Sequence, residues 1–427
     1  MVLCLLSVMG ASFAAAETSA YIFSYDDMFS KRDLKQSADL AGSTDIALVS
    51  GQDVHITEAG VYVLSGTASN VTVYVEAGDD DKVQLVLDGV SVSNDSLPVV
   101  YVKTADKVFI TVSSDSSMAV TGTFAADGTT SLDGVIFSRS DLTLNGEGKL
   151  TITSSKNGIV CKDDLKITGG TYDITAASKA LEANDSIRIA DGTLNLTAGT
   201  DGLHAENEDD DTKGYVYIAG GTITITAGDD GIHATSVIEV NDGTITITAA
   251  EGIEGTFIQI NGGTLTINGK DDGINAARKS DTSTFTPTVE ITGGSLTVTM
   301  GAGDTDGIDS NGNIIISGGT ISVNAASAFD YDGSASFTGG TVYINGQQVT
   351  TLPSQMMGGG MGGRGGFAGR MEGQNGFAGR PEGQDGFTGN PDGEGMFGHG
   401  PRGQGGFGEN RGDQGAFNPQ AGTSQQT

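Results

Sequence analysis

The sequence predicts an all-β fold, a right-handed parallel β-helix, and two observations lead to it. One unit repeats between about Leu142 and Gln348, and one copy reads VYIAGGTITITAGDDGIHA. Most copies lie about 20 to 31 residues apart, which is the range of solenoid repeats. Within each copy, apolar residues recur at every second position, the period of strands rather than helices. A period of about 22 residues accommodates three short strands and three turns, and parallel strands strongly favour right-handed crossovers.

Aligning the copies places apolar residues in columns that predict a continuous dry core. Glycine at the punctuation between strands is expected to supply positive φ at the corners. The copies begin near Leu142, Leu165, Ile187, Val216, Ile238, Ile258, Val289, Ile314 and Ala335. One inward column, from the Asp-Gly-Ile segments, contains Ile159, Leu181, Leu203, Ile232, Ile253, Ile274, Ile308 and Phe329.

Composition divides the chain into four parts. Residues 1–16 combine an apolar run with Ala14-Ala15-Ala16 and predict a cleaved signal peptide, although a basic n-region is missing. Residues 17–44 form a leader or cap, and residues 45–352 form the β-helix. Residues 353–427 are rich in Gly, with Phe every ten residues, and predict a disordered tail. That tail is either a flexible spacer or an adhesive arm that contacts a matrix or surface through Phe and Arg.

The formal net charge of −32 excludes some classes of partner. Nucleic acid and anionic membrane surfaces would be repelled, whereas cations would be attracted. No second stretch is long and apolar enough to insert into a membrane. The sequence therefore predicts a secreted or surface-associated protein.

Carboxylates recur at the corner that follows each Thr-rich strand. Coils stack about 4.8 Å apart, so these side chains would repel one another unless a cation lies between them. Calcium takes six to eight oxygen ligands in flexible geometry, which carboxylates and turn carbonyls can supply. The alternative is that Asp before Gly is turn chemistry in a solvated corner. The candidate calcium ligands are Asp201, Asp229, Asp230, Glu251, Asp271, Asp272, Asp304 and Asp306, with the acidic loop 206–211 as a second place.

A second polar column follows the inward aliphatic residue of each coil. It aligns His204 with His233 and then Glu254, which are residue types that bind transition metals. Solenoid stacking aligns like residues without any ligand, so the favoured interpretation is an exposed polar ladder.

Four segments resemble a bacterial carbohydrate-binding family. They are GVYVLSGT (60–67), KVQLVLDGVSVSN (82–94), KVFITV (107–112) and DGVIFSRSDLTLNGEGKLTITSSKNGIVCKDDLKITGG (133–170). The resemblance covers roughly residues 45–348. It implies a secreted right-handed parallel β-helix, similar to pectate lyases, that binds calcium and plant cell-wall polysaccharides including acidic ones.

The chain has no Trp, so a flat aromatic face for sugar stacking is poorly supported. Outward aromatics are expected at Tyr172, Tyr215 and Tyr217 at best. An acidic polymer such as polygalacturonate would need bound calcium as a bridge. The candidates for direct contacts are Lys166, Arg188, Tyr217 and Arg278, with Lys279 beside them. The alternative, that these lysines and arginines are solvated surface charges, stays equally open.

Two other classes of function stay open. Pectin lyases and hydrolases share the fold, but no residue makes a compelling catalytic base, Arg278 being the nearest. A self-associating surface adhesin is the third class. Binding is favoured over catalysis, and no catalytic residue is assigned.

Overall fold

The computed structural model describes residues 22–303 and 305–353. All of them lie within Met1–Met361, one of the two units into which the chain divides. The predicted signal peptide, the tail beyond residue 353 and the candidate ligand Asp304 fall outside the described residues.

The described residues form one short helix, α1 (Tyr25–Met28), and 34 strands. None of their helices is long and apolar enough to cross a membrane. The strands are β1 (Thr44–Ala47), β2 (Val54–Ile56), β3 (Gly60–Ser69), β4 (Val73–Glu76), β5 (Lys82–Asn94), β6 (Val100–Thr104), β7 (Lys107–Val112), β8 (Ser116–Val120), β9 (Gly134–Ser138), β10 (Asp141–Gly146), β11 (Lys149–Ser154), β12 (Asn157–Cys161), β13 (Asp164–Ile167), β14 (Thr171–Ala176), β15 (Leu181–Ala183), β16 (Ser186–Ile189), β17 (Thr193–Ala198), β18 (Leu203–Ala205), β19 (Tyr215–Ile218), β20 (Thr222–Ala227), β21 (Asp230–Val240), β22 (Thr244–Thr248), β23 (Glu251–Ile260), β24 (Thr264–Gly269), β25 (Asp272–Ala276), β26 (Thr288–Ile291), β27 (Ser295–Met300), β28 (Asp306–Ser310), β29 (Asn313–Ile316), β30 (Thr320–Asn324), β31 (Ser327–Tyr331), β32 (Ala335–Phe337), β33 (Thr341–Ile344) and β34 (Gln347–Val349).

Apart from β34, which pairs antiparallel with β33, the strands pair in parallel with the equivalent strands of adjacent coils, which gives three stacked faces. Face A runs through β1, β7, β10, β13, β16, β19, β26, β29 and β32. Face B runs through β8, β11, β14, β17, β20, β22, β24, β27, β30 and β33. Face C runs through β2, β4, β6, β9, β12, β15, β18, β25, β28 and β31. Long strands turn a corner between faces: β3 and β5 from A to B, and β21 and β23 from C to A. The described residues therefore form an almost all-β parallel solenoid with three strands per coil, while the right-handed sense stays a prediction.

The register confirms the predicted stacking of the copies. Leu142 pairs with Leu165, Leu165 with Ile187, and the series continues without a slip to Ala335. The inward column from Ile159 to Phe329 pairs in the same way. All of these side chains except the partly exposed Ala335 lie in one continuous buried core, as the alternation predicted.

One aromatic expectation is wrong. Tyr172 does not face outwards: it pairs with Leu150 and Leu194 and is fully buried in the core. Tyr215 and Tyr217 are also buried, at 6% and 1% exposure. These two tyrosines flank the inward Val216 and point away from the core as expected, but Phe23 and Phe29 pack against them and bury them.

Two kinds of glycine mark the corners, and only one has the predicted role. Gly221, before a Thr-rich strand, has φ of +96°, the left-handed conformation that glycine tolerates. Gly252, in the Asp-Gly-Ile type of segment, does not have positive φ. Its ideal Cβ would instead lie 2.3 Å from the carbonyl oxygen of Gly273, so the next coil leaves no space for a side chain.

An N-terminal strap, residues 22–36, lies along the outside of face A. At one end, the Phe23 N–H donates to Glu239 Oε2 at 2.8 Å. At the other end, Asp33 Oδ1 lies 2.7 Å from Lys107 Nζ, and Gln36 Nε2 donates to the Thr168 carbonyl. The strap therefore runs beside several coils before the chain enters β1.

Candidate functional site

The predicted carboxylate column exists at the start of the face C strands. Asp230 pairs with Glu251, and Asp272 pairs with Asp306. Asp201 comes two residues before Leu203, which pairs with Ile232, so it aligns with Asp230. Stacking of parallel coils thus gathers five acidic residues that are far apart in sequence. We refer to Asp201, Asp230, Glu251, Asp272 and Asp306 as the acidic column.

The polar column also forms in register, one residue after the inward apolar residue of each coil. Glu182 pairs with His204, His204 with His233, and His233 with Glu254. The column continues through Asn275, Asp309 and Asp330. The two columns lie side by side, and their contacts divide the edge into two chemically different parts.

In the first part, histidines face the acidic column. His204 Nδ1 lies 2.9 Å from Asp201 Oδ2, and His233 Nδ1 lies 3.0 Å from Asp230 Oδ2. The two imidazole rings stack with centroids 4.7 Å apart and planes 15° apart. Burial acts to raise the pKa of Asp201, but the neighbouring His204 holds it below its ordinary value.

Glu254 completes a convergent group around His233. Its Oε2 lies 2.9 Å from His233 Nδ1, and its Oε1 pairs with Lys279 Nζ. One ligand atom from each of Asp230, His233 and Glu254 lies within 4.8 Å of the others. This group contains a nitrogen donor and two carboxylates, the donor types of a transition-metal site.

In the second part, the described neighbours of the carboxylates are other carboxylates and amide groups. Burial, followed by the charges of Asp306 and Asp271, raises the pKa of Asp272 to about 6 despite the hydrogen bond from the Asp306 N–H. Burial and the charges of Asp272, Asp306 and Asp330 raise the pKa of Asp309 to about 7. Among the described residues, no basic side chain forms an ion pair with Asp272, Asp306 or Asp309.

Glu251 lies between these two parts. Burial chiefly raises its pKa, with the charges of Asp230 and Asp272 adding to the effect, while the Asn275 Nδ2 donates to its Oε2 at 3.2 Å. Asp229 and Asp271 are exposed, and each lies one residue before the member of the acidic column in its coil. Asp309 and Asp330 belong to the polar column that the sequence predicts, where each follows the inward residue Ile308 or Phe329, but they were not among the candidate calcium ligands.

Three of the four predicted sugar-contacting residues lie beneath the strap. Lys166 is 8% exposed and its Nζ lies 3.8 Å from Asp33 Oδ2. Arg188 Nη2 donates to Asp164 at 2.6 Å, and Tyr217 packs against the Phe29 ring of the strap. The expectation that this row is open to a glycan is therefore corrected, because the strap covers face A.

The fourth, Arg278, is exposed and lines a surface pocket of about 320 Å³ together with Glu208, Asp209 and Lys279. The acidic loop 206–211 is fastened beside it, since Ser280 Oγ donates to the Glu208 carbonyl and the Thr284 N–H donates to Asp211. The loop that the sequence proposed as a second ion site is thus tied to the loop that follows β25.

Comparison with known proteins identifies the family. The family model described as carbohydrate-binding domain-containing protein matches residues 50–256 and 251–349. A carbohydrate-binding domain-containing protein of Acetivibrio thermocellus is 36% identical over 139 residues, which are 31% of this chain and 49% of that relative. The chain thus spans about half the length of that relative.

A solved structure of a polysaccharide lyase-like protein from C. thermocellum, in a gadolinium derivative, is 31% identical. The similarity covers 51% of this chain and 96% of that chain, with a TM-score of 0.47. The two matches to the family model together span more than half of the chain. This protein therefore belongs to the carbohydrate-binding domain family.

Proposed function

We propose that this protein binds an acidic polysaccharide such as polygalacturonate, with calcium held between protein and polymer. The observation that carries the proposal is the second part of the edge, where Asp272, Asp306 and Asp309 stack without a basic partner among the described residues. Family membership supports a carbohydrate ligand.

The choice of calcium follows from the donors. The second part offers carboxylate oxygens, the amide oxygen of Asn275 and backbone carbonyls, and calcium prefers flexible all-oxygen sites. The Oδ1 atom of Asn275 is buried with no hydrogen-bond partner, and it lies in the polar column between Glu254 and Asp309. An oxygen acceptor in this position fits a cation.

The choice of an acidic polymer follows from charge. A chain of net charge −32 repels a polyuronate unless a bound cation reverses the local sign. Calcium that keeps open coordination positions can take them from sugar carboxylates. The supporting argument for location outside the cell is the apolar N-terminal run of the sequence, and the proposal includes secretion or attachment at the surface.

The test compares Asp272→Asn/Asp306→Asn with Asp79→Asn/Asp80→Asn, a control pair that removes the same charge from an exposed turn. Calcium titration by calorimetry and retention on polygalacturonate, with and without chelator, are measured for both. We expect the Asp272→Asn/Asp306→Asn variant to lose both calcium binding and retention on polygalacturonate, and the control variant to keep both. Retention that persists in chelator would contradict it, and release of unsaturated or reducing ends from the polymer would instead indicate a lyase or a hydrolase.

A further inference from the structure

We propose that Asp230, His233 and Glu254, in the first part of the edge, bind a divalent transition-metal ion of the zinc class. This site is separate from the calcium site proposed for the second part. His233 Nδ1 lies 3.0 Å from Asp230 Oδ2 and 2.9 Å from Glu254 Oε2. The three side chains are only 10%, 15% and 12% exposed. They belong to adjacent coils, and the register of β21 with β23 fixes their relative positions.

The spacing of the three donor atoms suits a small ion. Zinc binds imidazole nitrogen and carboxylate oxygen at about 2.0 to 2.2 Å, so tetrahedral ligands lie about 3.3 Å from one another. The two measured separations are slightly shorter than this, and all three atoms lie within 4.8 Å of one another. Small side-chain movements therefore place the donors around one ion and leave a fourth position for water.

The types of ligand atom distinguish this site from the calcium site proposed for the second part of the edge. Calcium and magnesium prefer oxygen ligands only, whereas imidazole favours zinc and its neighbours. Lys279 Nζ pairs with Oε1 of Glu254, while Oε2 of the same carboxylate is directed at His233. Because Lys279 contacts Oε1, it fixes the orientation of the carboxylate and leaves Oε2 available to the ion.

The previous coil offers an internal comparison. It repeats the Asp-Gly-x-His pattern at Asp201 and His204, but its second carboxylate, Glu206, faces Nε2 at 3.0 Å rather than Nδ1. Three donors therefore do not converge there. The side chain of His204 is 9% exposed, and its Nδ1 makes no hydrogen bond of acceptable geometry in spite of its closeness to Asp201. This nitrogen is directed at Asp201 of its own coil, so His204 stacks on the His233 ring but stays outside the group of three converging donors.

The experiment uses the full chain, stripped with chelator and titrated with ZnCl2 by calorimetry in the presence of excess calcium. Binding of Co²⁺ in parallel gives a visible absorption spectrum that reports nitrogen and oxygen coordination. The variants are His233→Gln and Glu254→Gln, and the matched control is His55→Gln. His55 also pairs with a glutamate, Glu76, at 2.9 Å, but it is exposed and belongs to no convergent group among the described residues.

The expected result is one tight zinc site that calcium does not displace. Affinity should fall by roughly tenfold or more in each site variant, and it should be unchanged in His55→Gln. A wild-type chain that binds no zinc, or a His233→Gln chain that keeps wild-type affinity and the same Co²⁺ spectrum, would overturn the proposal. If His233→Gln does not fold by circular dichroism, Glu254→Gln decides on the same criteria. Calcium binding by Asp272 and Asp306 is measured separately, so failure of one site leaves the other interpretable.

Discussion

Replacing Gly252 with alanine should destabilise the solenoid, because the corner has no space for a methyl group. An ideal Cβ at this position would lie 2.3 Å from the Gly273 carbonyl oxygen and 2.3 Å from Cγ2 of Ile267. The carbonyl is backbone of the next coil, and Ile267 is fully buried in the core. Neither group can move away without disturbing the stack.

The expected loss can be estimated from these contacts. Inserting a methyl group into a well-packed core costs about 1 to 3 kcal/mol. Because one of the contacts is with backbone, we expect the upper end, about 3 kcal/mol. At about 2 °C per kcal/mol for a domain of this size, the melting temperature should fall by about 6 °C.

The assay is thermal and urea unfolding followed by far-UV circular dichroism. Solenoids can unfold in stages, so amide hydrogen exchange over 251–276 would show whether the loss is local. Gly301→Ala is the matched control, since its nearest atom, the Gly269 carbonyl oxygen, is 3.7 Å away and its φ is not positive. The control should stay within about 0.5 kcal/mol of the wild type. Equal stability of the two variants would refute the argument that close approach, rather than backbone conformation, requires glycine here.

Three further predictions concern polar groups that are buried or partly buried. Tyr172→Phe should stabilise the fold by about 1 to 2 kcal/mol in urea unfolding, because it removes a fully buried hydroxyl that has no hydrogen-bond partner; destabilisation would contradict this. Asp33→Ala should release the strap, seen as faster hydrogen exchange at residues 22–36, because it leaves the Lys107 ammonium buried without its partner; unchanged exchange would show that the apolar contacts alone hold it. Burial and a hydrogen bond with Asp185 raise the pKa of Asp163 to about 7. The stability that its protonated form contributes is full below pH 4 and is lost as the pH rises through 7. Asp163→Asn should thus be more stable than wild type at pH 8, by about 1 to 2 kcal/mol after allowance for solvent screening, and equal at pH 4.

The alternation of apolar residues was sufficient to predict the coils and their register. Each copy carries the same period of two, and a slip of one residue would turn every inward side chain outwards. The column from Ile159 to Phe329 could therefore be aligned from sequence alone. Tyr172 was misplaced although the same rule applied, since counting back one coil from Leu194 reaches it directly.

The strap could not be predicted by that method. Residues 22–36 have no repeat, and their contacts are with residues more than 70 positions away, such as Lys107 and Glu239. The surface that the strap covers is formed only in the folded solenoid, where Phe109, Lys166 and Tyr217 stack in one row. Predicting exposure of Lys166 from its strand position failed for this reason: alternation tells which side of a strand a residue faces, and not what lies against that side.

The acidic column shows why register alone does not determine the chemistry of an edge. Asp230 and Asp272 occupy equivalent places two coils apart, a separation of about 10 Å along the stack. The residue three positions later is His233 in one coil and Asn275 in the other. With the same backbone, this one difference replaces a nitrogen donor with an amide oxygen, and for this reason we propose an ion of the zinc class in one coil and calcium in the other. Because every coil carries its own residue at this position, a solenoid of nearly identical repeats can specify different ion preferences along one edge without any change of fold.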